Sequence, residues 1–262
     1  MKNNPETLFF DDFTAPSLNR TIWNVEITGD IYNQEQQAYI DSPETIFISQ
    51  DEADCRGALV LQARHRPGYI TPQGARFDFV SGRIHTRGNV TFRYGRVSAR
   101  LKVPLIPGVW PAFWALGADG NWPACGEMDI MEAVGEPDWI SAAAHGPNYS
   151  GETGLVNKKY FPPPSSPADW HIYTAVCAPN SLTFFVDDEL IYRVTRPMVN
   201  FFGAWVFDNE KYILLNLALG GTYPFKTNGA RQPYYGLPAD SVLAIQENRA
   251  RFLVDWVKIT TL

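Results

Sequence analysis

The stretch R-V-S-A-R-L-K-V, residues Arg96 to Val103, alternates apolar and polar side chains without interruption. Val97, Ala99 and Leu101 would share one face of a β-strand, and the polar residues between them would share the other face. Such alternation is typical of an antiparallel strand that packs one face on a core and exposes the other. The stretch therefore predicts a half-buried strand at the centre of the chain.

Similar patterns recur on both sides of this stretch, whereas helical periodicity is rare. Further strands are predicted at Ala58–Ala63, Trp170–Val176 and Phe252–Ile259, with a hairpin over 182–194 that turns at Asp187 and Asp188. The best helix candidate is residues 239–249, and F-P-P-P-S-S-P at 161–167 is interpreted as a surface loop. Many strands and little helix predict an all-β protein, with residues 1–262 forming one sandwich of two antiparallel sheets.

Composition narrows the classes of partner. The chain carries 22 Lys and Arg against 28 Asp and Glu, a net charge of −6 without a basic cluster, which argues against nucleic-acid binding. The apolar run at Tyr212–Leu219 is too short to span a bilayer. Aromatic residues make up 14% of the chain, which suits a carbohydrate-binding surface.

Neither the first residues nor the cysteines decide in which compartment the protein acts. The first residues lack the apolar core of a secretory signal, so the protein is either cytosolic or has lost its signal. Cys55, Cys125 and Cys177 are widely separated and lack metal-like spacing, so at most one disulfide can form.

Acidic residues are concentrated in G-E-M-D-I-M-E-A-V-G, residues 126–135. On a regular strand Glu127 and Asp129 share one face, but Glu132 points to the opposite face. A helix would scatter the three acids around its axis. A β-bulge of one residue between Asp129 and Glu132 shifts everything after it by one face and returns Glu132 to the other two acids. The pattern therefore predicts a bulged strand.

A bulged strand would place Glu127 and Glu132 suitably for glycoside hydrolysis. Their Cα atoms would lie about 13 Å apart, and side chains that lean inward could bring the carboxyl groups to about 5 to 5.5 Å, the separation used by retaining glycosidases. Crowded carboxyl groups cannot all ionise, so one can keep a proton while another acts as nucleophile. The plainer interpretation is a row of solvated acids on an amphipathic strand.

Tryptophans flank these acids and favour a sugar site. Trp110 and Trp114 lie four residues apart in V-W-P-A-F-W-A-L, so on a strand they would point to the same face. Trp122 lies in N-W-P-A-C directly before the acids. Indole rings stack on the C–H faces of sugars, while carboxylates and amides bind the hydroxyl groups. We therefore predict that these three tryptophans bind substrate.

At this point the sequence resembles glycoside hydrolase family 16, and in particular its laminarinase-like endo-β-1,3-glucanases. The resemblance rests on four blocks in family order: S-G-R-I-H-T-R-G, Y-G-R-V-S-A-R-L-K-V-P, G-V-W-P-A-F-W-A-L-G and W-P-A-C-G-E-M-D-I-M-E-A-V-G. Weaker similarity extends to N-Q-E-Q-Q-A-Y, D-W-H-I-Y-T and Y-I-L-L-N-L-A-L-G-G. It implies a β-jelly-roll sandwich with an open concave cleft, hydrolysis with retention, and no catalytic cofactor.

The same resemblance assigns roles to the acids. Glu127 is similar to the family nucleophile, Glu132 to the acid/base, and Asp129 to the residue that orients and tunes the nucleophile. The bulged spacing is found in laminarinases, agarases and carrageenases, whereas lichenases and xyloglucan-active enzymes have the unbulged spacing.

Other positions carry over from the family by motif. His145 resembles the histidine beside the acid/base, and Asn33, Arg83 and Asn216 fall where laminarinases contact sugar. Asp255 resembles the side-chain ligand of a structural calcium ion, which takes about six to eight oxygens. The resemblance further implies an extracellular or periplasmic enzyme, which we expect to be a monomer that acts on a β-glucan polysaccharide.

One segment departs from the family pattern and three alternatives stay open. After His145 the chain continues with the unusual H-G-P-N-Y-S-G-E-T-G, which would alter the choice of sugars if it borders the cleft. The same mechanism could act on mixed-linkage glucan, agar, carrageenan or another galactan. A non-catalytic glucan-binding lectin needs the aromatics but not three phased acids. The three acids could also bind a metal.

Overall fold

The computed structural model describes residues 5–27, 31–52 and 54–262. The predicted central strand is present at Gly95–Lys102, and Val97, Ala99 and Leu101 are fully buried, as the alternation predicts. Ser98, on the other face, is also covered, and its hydroxyl lies 2.8 Å from that of Thr174. The polar face of this strand is therefore only partly open to solvent.

Two large antiparallel sheets make up most of the described chain. The strands are β1 Thr7–Asp11, β2 Asn24–Val25, β3 Gln37–Tyr39, β4 Ile46–Ser49, β5 Ala58–Gln62, β6 Arg64–Ile70, β7 Arg76–Ser81, β8 Arg83–His85, β9 Gly95–Lys102, β10 Val109–Gly117, β11 Glu127–Glu132, β12 Trp139–His145, β13 Leu155–Tyr160, β14 His171–Ala178, β15 Ser181–Val186, β16 Glu189–Thr195, β17 Lys211–Leu219 and β18 Arg251–Thr260. The strands predicted at 58–63, 170–176 and 252–259 correspond to β5, β14 and β18.

In the described chain, one sheet has eight strands in the order β16-β15-β14-β9-β18-β5-β4, with β1 paired to β18. The second has seven strands in the order β13-β12-β11-β10-β17-β8-β2, and a smaller sheet has the order β3-β7-β6. Hairpin β15–β16 turns at Asp187 and Asp188, as predicted, and both residues adopt positive φ.

Helices in the described chain are short: α1 Arg196–Phe202, α2 Thr222–Asn228, α3 Ala239–Gln246 and a 3₁₀ turn at Gly151–Thr153. The predicted helix at 239–249 corresponds to α3. The proline-rich segment 161–167 joins β13 to β14 without regular structure, as predicted. None of the helices in these described residues has the length and apolar character needed to cross a bilayer.

A hydrophobic core fills the space between the two large sheets. Its members run along the described chain from Phe9 to Ile259 and include Leu101 of β9 and Phe113 of β10. Burial of this apolar surface is the main force that holds the sheets together. The predicted all-β sandwich is confirmed. All three cysteines are unbridged.

The bulge predicted in the acid strand is present in β11. Along β10, Leu116 is opposite Glu127 and Trp114 is opposite Asp129, but the register then shifts so that Ala112 is opposite Glu132. Pairing with β12 shifts between the same two acids. The extra residue in β11 restores the parity of Glu132, because it adds one step to one strand and none to its neighbours.

Candidate active site

The three acids lie together on the outer face of the seven-stranded sheet, the face turned away from the core. Met128 and Ile130, which alternate with the first two acids, are fully buried in the core. Glu127 and Glu132 are half-buried, whereas Asp129 between them is only 4% exposed. The bulge therefore gives the site two accessible carboxyl groups and one covered carboxyl group.

A cross-strand row extends the site in both directions from Glu132. Successive register partners in this row, one from each strand from β8 to β13, are Arg83, Asn216, Ala112, Glu132, Ser141 and Lys158. Neighbouring strands lie about 4.8 Å apart, so the row spans about 24 Å across the sheet. We call the band of the outer face between this row and the row through Glu127 and His145 the groove, and it runs across the strands.

Two of the predicted tryptophans donate hydrogen bonds to the acids. Trp122 Nε1 donates to Glu127 Oε2 at 2.6 Å, and Trp110 Nε1 donates to Glu132 Oε1 at 2.9 Å. Trp122 is 51% exposed, so its ring also offers an open apolar face beside Glu127. Each accessible carboxyl group is therefore held in place by an indole N–H.

His145 completes the acid cluster from the neighbouring strand. It is the register partner of Glu127, and its Nε2 lies 3.0 Å from Asp129 Oδ2. Ligand atoms of Glu127, Asp129 and His145 lie within 4.8 Å of one another, close enough to approach one cation. Glu127 Oε2 already accepts the Trp122 N–H, and Glu127 shares a hydrogen bond with Asp129. These contacts fit a shared proton without a metal.

Burial raises the pKa of all three carboxyl groups. Desolvation, reinforced by the charge of Asp129, raises the pKa of Glu127 to about 8. Desolvation also raises the pKa of Asp129 to about 7, against the hydrogen bond from Glu127, which lowers it. The pKa of Glu132 is raised well above its usual value, first by desolvation and then by the charge of Asp129. The cluster therefore keeps protons near neutral pH.

A hydrogen-bonded chain extends from Trp114 along the β17 side of the groove. Trp114 Nε1 donates to Asn216 Oδ1 at 2.7 Å, and Asn216 Nδ2 donates to the Tyr39 hydroxyl at 3.1 Å. That hydroxyl lies 3.4 Å from Glu35 Oε2. The Arg83 guanidinium lies over the Trp114 ring, 5.0 Å from its centroid. The structure thus brings together Trp114, Asn216 and Arg83, three of the residues predicted to bind substrate.

Asn33 lies at the far end of this chain, where its Nδ2 is 3.4 Å from Glu35 Oε1. Burial raises the pKa of Glu35, while a 2.8 Å hydrogen bond from Gln37 Nε2 opposes that shift. The sequence analysis did not select Glu35 or Tyr39. Their signal is present in N-Q-E-Q-Q-A-Y, where Asn33, Glu35, Gln37 and Tyr39 recur at every second position.

Tyr223 is another residue that the sequence analysis did not select. It lies in α2, its hydroxyl is 2.8 Å from that of Ser141, and its ring meets that of Trp110 edge-on at 5.3 Å. Burial raises its pKa, and the charge of Glu132 contributes. A single tyrosine in T-Y-P-F carries no local pattern that marks it.

Asp255 lies on β18 in the eight-stranded sheet, away from the groove. Its Oδ2 accepts a hydrogen bond from Arg100 Nη1 at 2.6 Å, and Arg100 also donates to the Asp54 carbonyl. A guanidinium in contact with this carboxylate neutralises its charge and engages one of its two oxygens. The residues present therefore do not fit the predicted calcium ion.

Two accessible glutamates that face one open groove are the pair of carboxyl groups that glycoside hydrolases use. Comparison with known proteins agrees: the sequence profile of "Glycosyl hydrolases family 16" matches residues 30–218. The chain belongs to this family. The jelly-roll sandwich implied by the resemblance is confirmed, and the protein is a glycoside hydrolase that needs no cofactor for catalysis.

Relatives and solved structures support this membership. The chain is 31% identical to "Beta-glucanase" of Rhodothermus marinus, over 83% of this chain and 77% of that protein. It is also 31% identical to "Glucan endo-1,3-beta-glucosidase A1" of Niallia circulans, over 85% of this chain but only 34% of that protein. The endo-beta-1,3-glucanase structure from Pyrococcus furiosus superimposes with a TM-score of 0.85 and 32% identity, covering 98% of this chain and 94% of the other.

Proposed function

We propose that residues 1–262 form a single catalytic domain that hydrolyses β-1,3-linked glucan internally, by double displacement with retention of configuration. Glu127 is the nucleophile and Glu132 is the acid/base. The bulge in β11 carries this proposal, because it turns both glutamates to the groove and leaves Asp129 covered between them. A protein that only bound glucan would not require this arrangement of the three acids.

The first step uses the two accessible glutamates together. The Glu127 carboxylate attacks the anomeric carbon, and the bond from that carbon to the glycosidic oxygen breaks. Glu132 gives its proton to the departing oxygen, which leaves as a sugar hydroxyl. The raised pKa of Glu132 keeps this proton in place at neutral pH. The product is a glycosyl ester on Glu127.

The second step reverses the proton movement. Glu132, now ionised, takes a proton from water while the water oxygen attacks the anomeric carbon and Glu127 leaves as a carboxylate. Two inversions restore the original configuration. Water enters from the side that the departing sugar has vacated, where Glu132 and Trp110 lie.

Asp129 prepares Glu127 for the first step. The two carboxyl groups share a hydrogen bond, so one proton lies between them. When Asp129 holds that proton, Glu127 is ionised. Its carboxylate then accepts hydrogen bonds from the Asp129 O–H and the Trp122 N–H. The Glu127 carboxylate is thereby oriented while it waits for substrate.

The extent of the groove supports internal cleavage of a polymer. Groups that can bind sugar lie on both sides of the acid strand: Arg83, Trp114 and Asn216 on one side, and Lys158 on the other. A chain laid across the strands can therefore extend beyond the cleavage point in both directions. The β-1,3 linkage is supported by the names of the Niallia circulans and Pyrococcus furiosus proteins.

Two glutamine variants test the proposal. Glu127→Gln should abolish release of reducing sugar from laminarin while thermal unfolding shows a folded protein. Glu132→Gln should lose laminarin activity but keep the first step on an aryl glucoside whose leaving group needs no proton. Proton NMR of early products should show the β-anomer first. Unchanged laminarin turnover by Glu127→Gln would refute the assignment of the nucleophile.

A panel of polysaccharides tests the substrate. Laminarin, mixed-linkage glucan, agar and carrageenan should be compared at equal mass concentration. Cleavage of a galactan without cleavage of laminarin would overturn the β-1,3-glucan assignment, and tight glucan binding without cleavage would identify a lectin. We further propose that the protein acts as a monomer outside the cytoplasm, since a polysaccharide is too large to cross a membrane unaided.

A further inference from the structure

One ion pair connects two segments that stand on the outer face of the seven-stranded sheet. Glu152 lies in the 3₁₀ turn between β12 and β13, and Lys226 lies in α2, which follows β17. The Lys226 ammonium contacts the Glu152 carboxylate. The partners are far apart in sequence, so the contact closes a long loop over the sheet.

The Glu152 segment is held against the His145 end of β12. A Cβ atom on Gly154 would lie 2.2 Å from His145 Cε1, so a larger residue could not follow this path. Earlier in the same segment Tyr149 is fully buried, and its hydroxyl donates to the Ala204 carbonyl at 2.8 Å. The unusual sequence after His145 therefore borders the groove as a fixed wall.

The Lys226 segment is held near Ser141 on the same strand. Tyr223, one turn before Lys226 in α2, contacts the Ser141 hydroxyl at 2.8 Å and the Trp110 ring at 5.3 Å. This helix therefore forms the opposite wall, beside the acid/base Glu132, whose register partner on β12 is Ser141.

Ser141 and His145 lie on one face of β12, about 13 Å apart at roughly 3.3 Å per residue. Ala143 lies between them as the register partner of Asp129. The ion pair joins the walls that stand at these two positions. A line drawn from Glu152 to Lys226 therefore runs parallel to the acid strand β11. It crosses the groove above β12, about one strand spacing, 4.8 Å, from the acids.

We propose that the Glu152–Lys226 pair is a bridge over the groove on the β12–β13 side, and that it admits one unbranched glucan strand beneath it while excluding a branched one. This inference rests on the proposed glucanase function. A backbone in the groove must pass under the bridge to extend beyond the acids. A glucose branch on the sugar unit below the bridge would collide with it.

The bridge is weak enough to open. Both side chains are substantially exposed, 45% for Lys226 and 69% for Glu152, and exposed ion pairs contribute little to stability. Salt screens such pairs. A neutral glucan has no charge of its own for salt to screen, so any effect of ionic strength on substrate choice reports on the bridge.

The test compares kcat/KM on linear β-1,3-glucan oligosaccharides with kcat/KM on a β-1,3-glucan that carries single β-1,6-linked glucose branches. Glu152→Gln and Lys226→Met should each raise the branched-to-linear ratio by about two- to five-fold, the range that an exposed ion pair supports. The double charge exchange Glu152→Lys with Lys226→Glu should restore the wild-type ratio. High salt should raise the ratio of the wild type and of the charge exchange, but not that of either single variant.

Asp188→Asn is the matched control, because it breaks an exposed ion pair with Arg96 on the eight-stranded sheet. Its ratio should equal that of the wild type. Ratios that stay unchanged in both single variants, or a charge exchange that behaves like the single variants, would overturn the bridge while leaving the glucanase function intact. A wild type that cleaves neither glucan would overturn the proposed function itself.

Discussion

His145 Nε2 lies 3.0 Å from Asp129 Oδ2, and Asp129 in turn shares a hydrogen bond with Glu127. An imidazole and two carboxyl groups thus form one unit across the pair β11–β12. The two carboxyl groups are coupled and titrate together, so the pH dependence of the enzyme belongs to the acids as a cluster and not to one residue.

Asp129→Asn should move the acidic limb of the kcat/KM profile to lower pH. The charge of Asp129 raises the pKa of Glu127, so its removal lets Glu127 ionise at lower pH. The amide cannot take up the proton that Glu127 must release before it attacks, and kcat should fall by about 10²-fold. A pH–rate profile on laminarin measures both effects. An acidic limb that stays in place would show that Asp129 does not tune Glu127.

Glu132→Gln should abolish the alkaline limb of the same profile. The wild-type enzyme should lose activity as Glu132 gives up its proton, at a pH raised by burial and by the charge of Asp129. Glutamine cannot ionise. Measured on an activated aryl glucoside, kcat/KM of the variant should therefore stay level at high pH. A persisting alkaline limb would assign it to another group.

Glu127→Gln should stabilise the protein at alkaline pH more than at acidic pH. The pKa of Glu127 is about 8 in the folded protein, above its usual value of 4.5. Between these values the folded state keeps a proton that the unfolded chain has released, so the free energy of unfolding falls as pH rises. Glutamine does not ionise, so the free energy of unfolding of the variant does not fall for this reason.

Thermal unfolding of Glu127→Gln and wild type at pH 5 and pH 8 measures the effect. Relief of about 1 kcal/mol would raise the melting temperature by about 2 to 4 °C for a chain of this size. We expect the gain at pH 8 and a smaller difference at pH 5. Equal differences at the two pH values would contradict the raised pKa.

Trp122→Phe should lower kcat by about 10-fold, because it removes an N–H donor to a charged group and keeps an aromatic face. The lost hydrogen bond is the 2.6 Å contact with Glu127 Oε2. Trp256→Phe is the control, since this ring contacts Phe10 on the eight-stranded sheet. If both variants keep full activity, the indole N–H of Trp122 has no role in catalysis.

Chelation with EDTA should leave the melting temperature unchanged, because Arg100 already neutralises Asp255. Asp255→Asn should lower the free energy of unfolding by about 1 to 3 kcal/mol, since the guanidinium loses its charged partner. Differential scanning calorimetry with and without calcium distinguishes the two cases. A melting temperature that falls with EDTA and recovers with calcium would restore the predicted ion.

Local periodicity explains which predictions the structure confirms. The strand at Arg96–Val103, the hairpin at Asp187 and Asp188 and the bulge before Glu132 each follow from side-chain alternation over a few residues. Such patterns are visible in the sequence because neighbours along a strand differ only in the face to which they point.

Local patterns do not predict contacts between side chains on strands that are far apart in the sequence. Asn216 on β17 meets Tyr39 on β3, a strand of a different sheet, and Arg100 meets Asp255 because β9 lies beside β18. The second pair explains why Asp255 does not fit calcium, although the family resemblance suggests it. Sequence alone does not reveal which basic side chain will face an acid.

By itself the sequence determined the all-β class, the bulge and the three acids on one face, because each is a matter of spacing along one strand. Only the tertiary structure decided which groups surround those acids. Trp122 and Trp110 became hydrogen-bond donors to Glu127 and Glu132, and Glu152 came to face Lys226. The Trp110–Glu132 and Glu152–Lys226 contacts require distant segments to be packed on one sheet, and packing is a property of the whole core and not of any local pattern.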